Sequence, residues 1–324
     1  MMNTKHRSTN WTCRTIGTCL ALALAIPGVA TAQTRFSQIV VFGTSLSDSG
    51  NAFALVGDQS TPPDFLLNPL LIPSAPYAKG GHHFSNGATW IEQFGRAVGL
   101  GGSVKPALGS SGAGALNFAV GAARAYDNGS NFNLTRQVQT FLERSGGAAP
   151  AEALYVIEMG SNDVRDAFAL YATGGNGGPI IMQALGSIAA NIGRLHAAGA
   201  REFLVWVAPN VALTPAIRSL GPAAGGLALQ VTQAFNSGLT QTLGQLAGAL
   251  PGTSFVRLDA YRLLNEIVAQ PATFGLTNAT SACVTPGAAP FNCAAPDGYL
   301  FWDGIHPTAA GHAILAEEAA RVLR

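Results

Sequence analysis

The chain runs to 324 residues, of which 48% are hydrophobic and 11% charged, and its 18 Lys and Arg against 17 Asp and Glu leave a formal net charge of +1. Charged residues usually make up about a quarter of a soluble domain, and this near-neutral balance leaves no electrostatic footprint for nucleic acid. Past the first residues, no segment sustains the roughly 18 uninterrupted apolar residues of a membrane-spanning helix.

In chain order the first feature is a leader. Lys5, His6, Arg7 and Arg14 form a positive head, Ile16 to Ile26 an apolar stretch too short to span a bilayer, and Ala30-Thr31-Ala32 a small-residue cleavage site. That is the layout of a secretory signal peptide, assigned to residues 1–32, with one mature domain over residues 33–324. No cysteine stands at the cleavage site to carry a lipid, and Arg324 closes the chain directly after its last helical stretch. The expectation is unanchored export, secreted or periplasmic, with no integral membrane span. About 290 mature residues suit a single α/β unit and can bury a substantial core without metals or cross-links.

Beyond the leader, short apolar β-branched runs alternate with longer amphipathic stretches, the pattern of a parallel sheet covered by helices. Strands are predicted at Gln38 to Phe42, Leu116 to Val120, Ala153 to Glu158, Glu202 to Val207 and Ser254 to Leu258. Helical periodicity is clearest at Thr89 to Val98, Leu134 to Arg144, Ile180 to Ala198, Gly226 to Ala249 and Thr308 to Leu323. Ser45 follows the first strand, Gly121 the second, and the turn Gly160-Ser161-Asn162-Asp163 the third. These polar elements gather at the carboxyl edge, where open α/β sheets bind ligands. The last helix opens just after His306 and returns that loop to the same edge.

Chemistry concentrates in two segments at opposite ends of the domain, Val41-Phe42-Gly43-Thr44-Ser45-Leu46-Ser47-Asp48 and Trp302-Asp303-Gly304-Ile305-His306-Pro307. They supply a candidate nucleophile in Ser45, a base in His306 and an orienting carboxylate in Asp303. A serine hydroxyl is a poor nucleophile until an imidazole takes its proton, and a carboxylate fixes the imidazole's tautomer. Cys283 and Cys293, the pair that outlasts the leader, are expected to form a disulfide, as exported cysteines close in sequence do. His82 with His83, or Asp303 with His306 and His312, are groupings that raise the question of a metal, but no H-x-x-x-H or C-x-x-C spacing supports one. His82 and His83 read instead as loop-rim residues, His312 as part of the final helix, His196 as a helix-end residue and Asp163 as a helix cap. The run Gly109 to Gly114 lacks the lysine of a phosphate loop and reads as a flexible connection.

The block Phe42-Gly43-Thr44-Ser45-Leu46-Ser47-Asp48-Ser49-Gly50-Asn51 resembles the F-G-D-S-L-S-D-x-G-N pattern of the GDSL, or SGNH, hydrolases, secreted serine esterases and lipases that lack the G-x-S-x-G elbow. Phe84-Ser85-Asn86-Gly87 with Trp90-Ile91-Glu92, Asn117-Phe118-Ala119-Val120-Gly121, Gly160-Ser161-Asn162-Asp163 and Phe301-Trp302-Asp303-Gly304-Ile305-His306-Pro307-Thr308 follow in family order. The resemblance implies an α/β fold: a flavodoxin-like three-layer α/β/α sandwich around a parallel sheet of about five strands. It implies Ser45 as nucleophile, His306 as base and Asp303 as its partner, without a cofactor. It further implies an oxyanion hole from the Ser45 and Gly121 backbone N–H groups and the Asn162 side chain, the kind of fixed donors that stabilise a developing negative oxygen. Glycine at 121 would keep the substrate's approach open. Two positions depart from the family: Thr44 stands where it has Asp, and Gly121-Ala122 where Gly-Gly is common.

The expected activity is hydrolysis of a small-molecule or lipid carboxylic ester through an acyl-serine, rising with pH because only a neutral imidazole acts as base. The Pro-rich segment Thr61 to Gly81 carries Phe65, Leu66, Leu67, Leu70, Leu71 and Ile72. It reads equally as a cover or acyl-chain wall over the cleft and as a loop packed against the body. A lipid-like or medium-chain preference, with transient contact at a lipid surface, follows from the first option. An acyltransferase, a catalytically silent binding protein and a glycan-deacetylating esterase stay open as alternatives, because fold does not fix substrate.

Overall fold

The computed structural model describes residues 35–57, 60–61, 64–65, 67–109, 114–129 and 132–324. The leader, its cleavage site, Leu66 and residues 110–113 of the Gly-rich run lie outside the described residues. In chain order the elements are β1 (Ile39–Gly43), α1 (Asn51–Val56), α2 (Trp90–Ala97), α3 (Leu134–Arg144), β2 (Leu154–Glu158), α4 (Ser161–Ala172) and α5 (Gly178–Ala197). They continue with β3 (Glu202–Val207), α6 (Pro215–Arg218), α7 (Pro222–Ala249), β4 (Ser254–Asp259), α8 (Ala260–Ala269), β5 (Asn278–Ala282), β6 (Tyr299–Phe301) and α9 (Ala309–Val322).

Strands β1 to β4 form one parallel sheet in the order β1-β2-β3-β4. Successive strand side chains point to opposite faces, and here both faces are covered. Val40, Phe42, Tyr155, Ile157, Phe203 and Val205 pack with residues of α3, α4, α5 and α7. Ile39, Val41, Leu154, Val156, Leu204 and Trp206 pack on the other side with residues of α2, α8 and α9. A sheet buried on both faces has to be apolar throughout, which is why IVVFG and LYVIE run without alternation. Each fully buried side chain of this kind contributes about 1.5–3 kcal/mol, and the two cores together make the three layers.

The segment predicted as the strand Leu116 to Val120 is an extended edge that bridges β1 rather than an assigned strand. Val41 N–H donates to Leu116 C=O at 3.0 Å, while the Phe118 and Val120 amides donate to Val41 and Gly43 at 2.8 and 3.1 Å. Asn117 turns its own backbone outward, to Lys105 and Ala107. Counting this edge, the spatial order in chain sequence is 2-1-3-4-5, the doubly wound arrangement whose connections reverse direction beside the first strand. The crevice at the carboxyl ends of β1 and β2 is therefore where the fold leaves room for a ligand.

Four helices escaped the sequence pattern, the short α1 and α6 and the longer α4 and α8. α4 opens on Ser161-Asn162-Asp163, residues that favour turns and caps, and α8 follows β4 with no intervening loop. The parallel pair β5 and β6 was also unpredicted. It carries the chain back to the Asp303/His306 loop. Cys283 and Cys293 are disulfide-bonded, and Cys283 sits in a small separate core with Phe65, Tyr77, Val284 and Trp302. Among the described residues, no helix is long and apolar enough to cross a membrane.

Candidate active site

Ser45 stands two residues beyond β1, and the end of that strand is held from both sides. Buried Gln137 of α3 accepts from the Gly43 N–H and donates to the Gly43 C=O, both at 2.9 Å. Next to it, the Thr44 N–H donates to Glu158 Oε2 at 2.8 Å and the Thr44 hydroxyl reaches both carboxylate oxygens at 3.0 Å. Thr44 thus replaces the family's Asp with a donor facing a carboxylate of β2. Glu158 is wholly buried, and burial pushes its pKa up to about 7 against the lowering pull of the Thr44 bonds.

Across the cleft, the loop between β6 and α9 is fastened at several points. Trp302 N–H donates to His306 C=O at 2.8 Å, Thr308 caps α9 by accepting from Gly311 N–H, and Ser85 and Asn86 bond Pro307 C=O and Ala309 N–H at 2.8 and 2.7 Å. Gly304 is required here, because a Cβ would lie 1.9 Å from the Leu70 carbonyl oxygen. The fastened loop places His306 Nε2 2.9 Å from Ser45 Oγ and His306 Nδ1 2.7 Å from Asp303 Oδ2. A carboxylate only accepts, so Nδ1 carries the proton and Nε2 is left to receive one from the serine. Asp303 is fully buried, and its Oδ1 accepts from the Ile305 and His306 amides at 2.9 and 2.8 Å.

Sequence reasoning missed the group that completes this set. Tyr77 donates its hydroxyl to Asp303 Oδ2 at 2.7 Å, across 226 positions of chain, with no local motif to announce it. Burial, then the charge of Asp303, raise the Tyr77 pKa and keep the phenol protonated as a donor. Its ring packs edge-on against Phe65 and Trp302. That packing also decides most of the Thr61 to Gly81 question. Phe65, Leu67, Leu71 and Tyr77 pack against the disulfide-bearing body, while Leu70 and Ile72 line the cleft.

The three predicted oxyanion donors do not all stand free. Ser45 N–H meets no protein acceptor among the described residues, and Asn162 Nδ2 gives one hydrogen to Ala123 C=O at 2.9 Å, leaving the other. Gly121 is a correction: its N–H donates to Asp48 Oδ2 at 2.8 Å. The next amide, Ala122, has no protein acceptor among the described residues, and Ala122 lines the same cavity as Ser45, Asn162 and His306. Ala122 holds a left-handed φ of 63°, strain of about 1–2 kcal/mol for a residue with a Cβ and none for the family's glycine. The Gly121 requirement comes from a neighbour instead of the substrate, since a Cβ there would sit 2.2 Å from the Phe84 ring.

Two buried acids shape this wall. Asp48 accepts from the Gly50, Asn51, Ala52 and Gly121 amides, which offset part of the burial that raises its pKa. Its Ser-Gly-Asn sequel is the local signal for such a turn. Asp163 is not the cap of α4 but a clamp on the facing loop, accepting from the Ala125 and Tyr126 amides at 2.9 and 3.0 Å. Burial pushes its pKa up to about 6.

The remaining histidines stand apart from the reacting atoms. His83 is buried, not at the rim, with Nε2 2.9 Å from a Glu92 oxygen and Nδ1 2.6 Å from Gly80 C=O. Burial pulls its pKa down, but bonding to Glu92 outweighs this and leaves it raised. His82 stacks on Phe53, and His196 ends α5 as expected. Buried His312 of α9 is pushed down to about 3 by burial and then by the charges of His83 and His306.

The cleft beside Ser45 and His306 has a volume of about 200 Å³. It is walled by Leu46, Leu70, Ile72, Phe168, Val211, Ile217 and Leu220, with Arg165 and Asp166 from α4. Burial, and then the nearby charge of Arg124, lower the Arg165 pKa from its ordinary value. Such a guanidinium still stays cationic.

Over residues 39–319 the sequence matches the family described as GDSL-like Lipase/Acylhydrolase. It is similar to Esterase EstA of Pseudomonas aeruginosa, 30% identical across 93% of this chain and 49% of that protein. It is also similar to a GDSL esterase/lipase of Arabidopsis thaliana, 25% identical across 90% of this chain and 93% of the relative. Among solved structures, an extracellular lipase from Streptomyces rimosus is similar with a TM-score of 0.38 and 14% identity, over 88% of this chain and 99% of that one.

Proposed function

The chain belongs to the GDSL-like lipase/acylhydrolase family and is a serine ester hydrolase, and from that premise we propose that it cleaves carboxylic esters through an acyl-Ser45 intermediate driven by His306 and Asp303. One observation carries this proposal: Ser45 Oγ, both nitrogens of His306 and Asp303 Oδ2 lie in one unbroken hydrogen-bonded line, 2.9 and 2.7 Å. Ser45 Oγ attacks the ester carbonyl carbon as its proton passes to His306 Nε2. The Ser45 and Ala122 N–H groups and the spare Asn162 N–H receive the oxyanion. Collapse breaks the bond to the alcohol, which takes the proton from His306. A water then repeats the sequence, freeing the acid and restoring the serine.

Tyr77 holds Asp303 rather than touching substrate. The apolar wall from Leu70 to Leu220 supports an acyl chain longer than acetyl, entering the cleft beside Ser45. Export is supported by the Cys283–Cys293 bridge, which fits an oxidising compartment. A series of aryl esters from acetyl to dodecanoyl tests both parts. kcat/KM should rise from acetyl to medium chains, and Ser45→Ala should lower it by more than about a thousandfold. Activity confined to acetyl esters overturns the chain-length part, and cleavage undiminished in Ser45→Ala overturns the mechanism.

A further inference from the structure

Ser45 and His306 are flanked by two lobes of different chemistry. On one side lies the apolar cleft already described. On the other, Ser74, Phe84 and Ala122 line a second lobe with Arg124 and Arg165, and Arg165 belongs to both. The two guanidinium groups are not equivalent. Arg124 is neutralised by Asp166 through two bonds of 2.8 and 2.9 Å, and it also donates to Ala122 C=O. Asp166 in turn accepts from the Tyr126 hydroxyl at 2.9 Å.

Among the described residues Arg165 has only one hydrogen bond, from Nη1 to Asn162 Oδ1 at 2.9 Å, and forms no ion pair. Four of its five N–H donors are therefore unclaimed by any described residue in a partly buried cleft. The two carboxylates whose charge reaches it are both engaged elsewhere, Asp166 by Arg124 and Tyr126, and Asp303 by Tyr77, His306 and two amides. A partly desolvated cation with no carboxylate in direct contact is costly, and a planar fork of donors matches an oxyanion such as phosphate or carboxylate.

Resting on the ester-hydrolase function above, we propose that Arg165 is a specificity-determining residue that binds an anionic group on the alcohol side of the ester, with the acyl chain in the apolar lobe. The preferred substrate is then an acyl ester whose alcohol carries a phosphate or carboxylate. In its bond to Asn162, Arg165 also orients the oxyanion donor, so a variant lowers the rate on every ester to some extent. Only the charge-dependent part reports on substrate choice.

The test compares 3-(octanoyloxy)propyl phosphate with its uncharged twin 3-(octanoyloxy)propan-1-ol, below their aggregation limits and at low salt. The wild type should cleave the phosphate ester with a kcat/KM roughly tenfold or more above the neutral one, the scale of a charge-assisted hydrogen bond. Arg165→Gln should erase that preference while Arg165→Lys keeps most of it. Equal wild-type rates on the two esters overturn the inference without recourse to any variant. So does a loss in Arg165→Gln that is the same on both, which leaves Arg165 only its Asn162 contact. In either case neutral-ester cleavage that vanishes in Ser45→Ala leaves the hydrolase function standing, so the two failures are distinguishable.

Discussion

Replacing Glu158 with Gln removes a buried ionisable group while keeping an oxygen for the Thr44 N–H, now held at 2.8 Å. The folded protein releases the Glu158 proton near pH 7, because burial disfavours the carboxylate, whereas its ordinary value is 4.5. Between those values folding takes up a proton, so the wild type loses stability as pH rises from 4.5 to 7 and loses no more above. At about 1.4 kcal/mol per pH unit, the displacement amounts to roughly 3 kcal/mol by pH 8. Glu158→Gln has no such loss. Other titrating groups, Asp163 and the His83–Glu92 pair among them, are common to both proteins and largely cancel in the comparison. Urea unfolding of both at pH 4 and pH 8 should therefore show the stability difference moving by about 3 kcal/mol in favour of Gln at the higher pH. A difference that stays constant with pH, or moves the other way, refutes the claim that this carboxyl is held protonated by burial.

Tyr77→Phe keeps the ring packing on Phe65 and Trp302 but withdraws one donor from Asp303; kcat should fall roughly ten- to hundredfold with KM little changed, and an unaltered kcat contradicts the role given to the hydroxyl. Gly121→Ala drives a methyl into the Phe84 ring, whose centroid lies 5.4 Å from that of His306. It should cost about 1–3 kcal/mol of stability and lower kcat, as thermal unfolding and ester kinetics would show. Cys283→Ala with Cys293→Ala opens a link between residues 10 positions apart and should lower stability by about 2–3 kcal/mol. An unchanged denaturation midpoint contradicts a structural role for the bridge.

Much of the fold was legible because β1 and β2 are buried on both faces. Ile39 to Phe42 and Leu154 to Ile157 have no polar position to hide the run, and the helices α3 and α9 carry Asn133 and Thr308 as side-chain caps at their starts. α4 was not legible, because Ser161-Asn162-Asp163 reads as a turn until Val164, Ala167 and Phe168 are seen packed in the core. Of the site, Ser45, Asp303 and His306 announced themselves through local motifs, since each sits in a short loop whose neighbours set its direction. Tyr77, Glu158 and Arg165 did not, for their roles exist only through partners or cavities assembled by folding. The motif around Gly121 also could not say which of two consecutive amides is left without a protein acceptor among the described residues. Asp48, a residue of the other motif, decides that by claiming the first.

The central claim is that Ser45 is the nucleophile, and covalent titration tests it most directly. A medium-chain phosphonate ester should add one phosphonyl group per chain, located at Ser45 by peptide mass analysis, with hydrolysis lost in step with labelling and no labelling of His306→Ala at the same rate. Full inactivation with the group on another residue, or undiminished hydrolysis by fully labelled Ser45, would contradict the account.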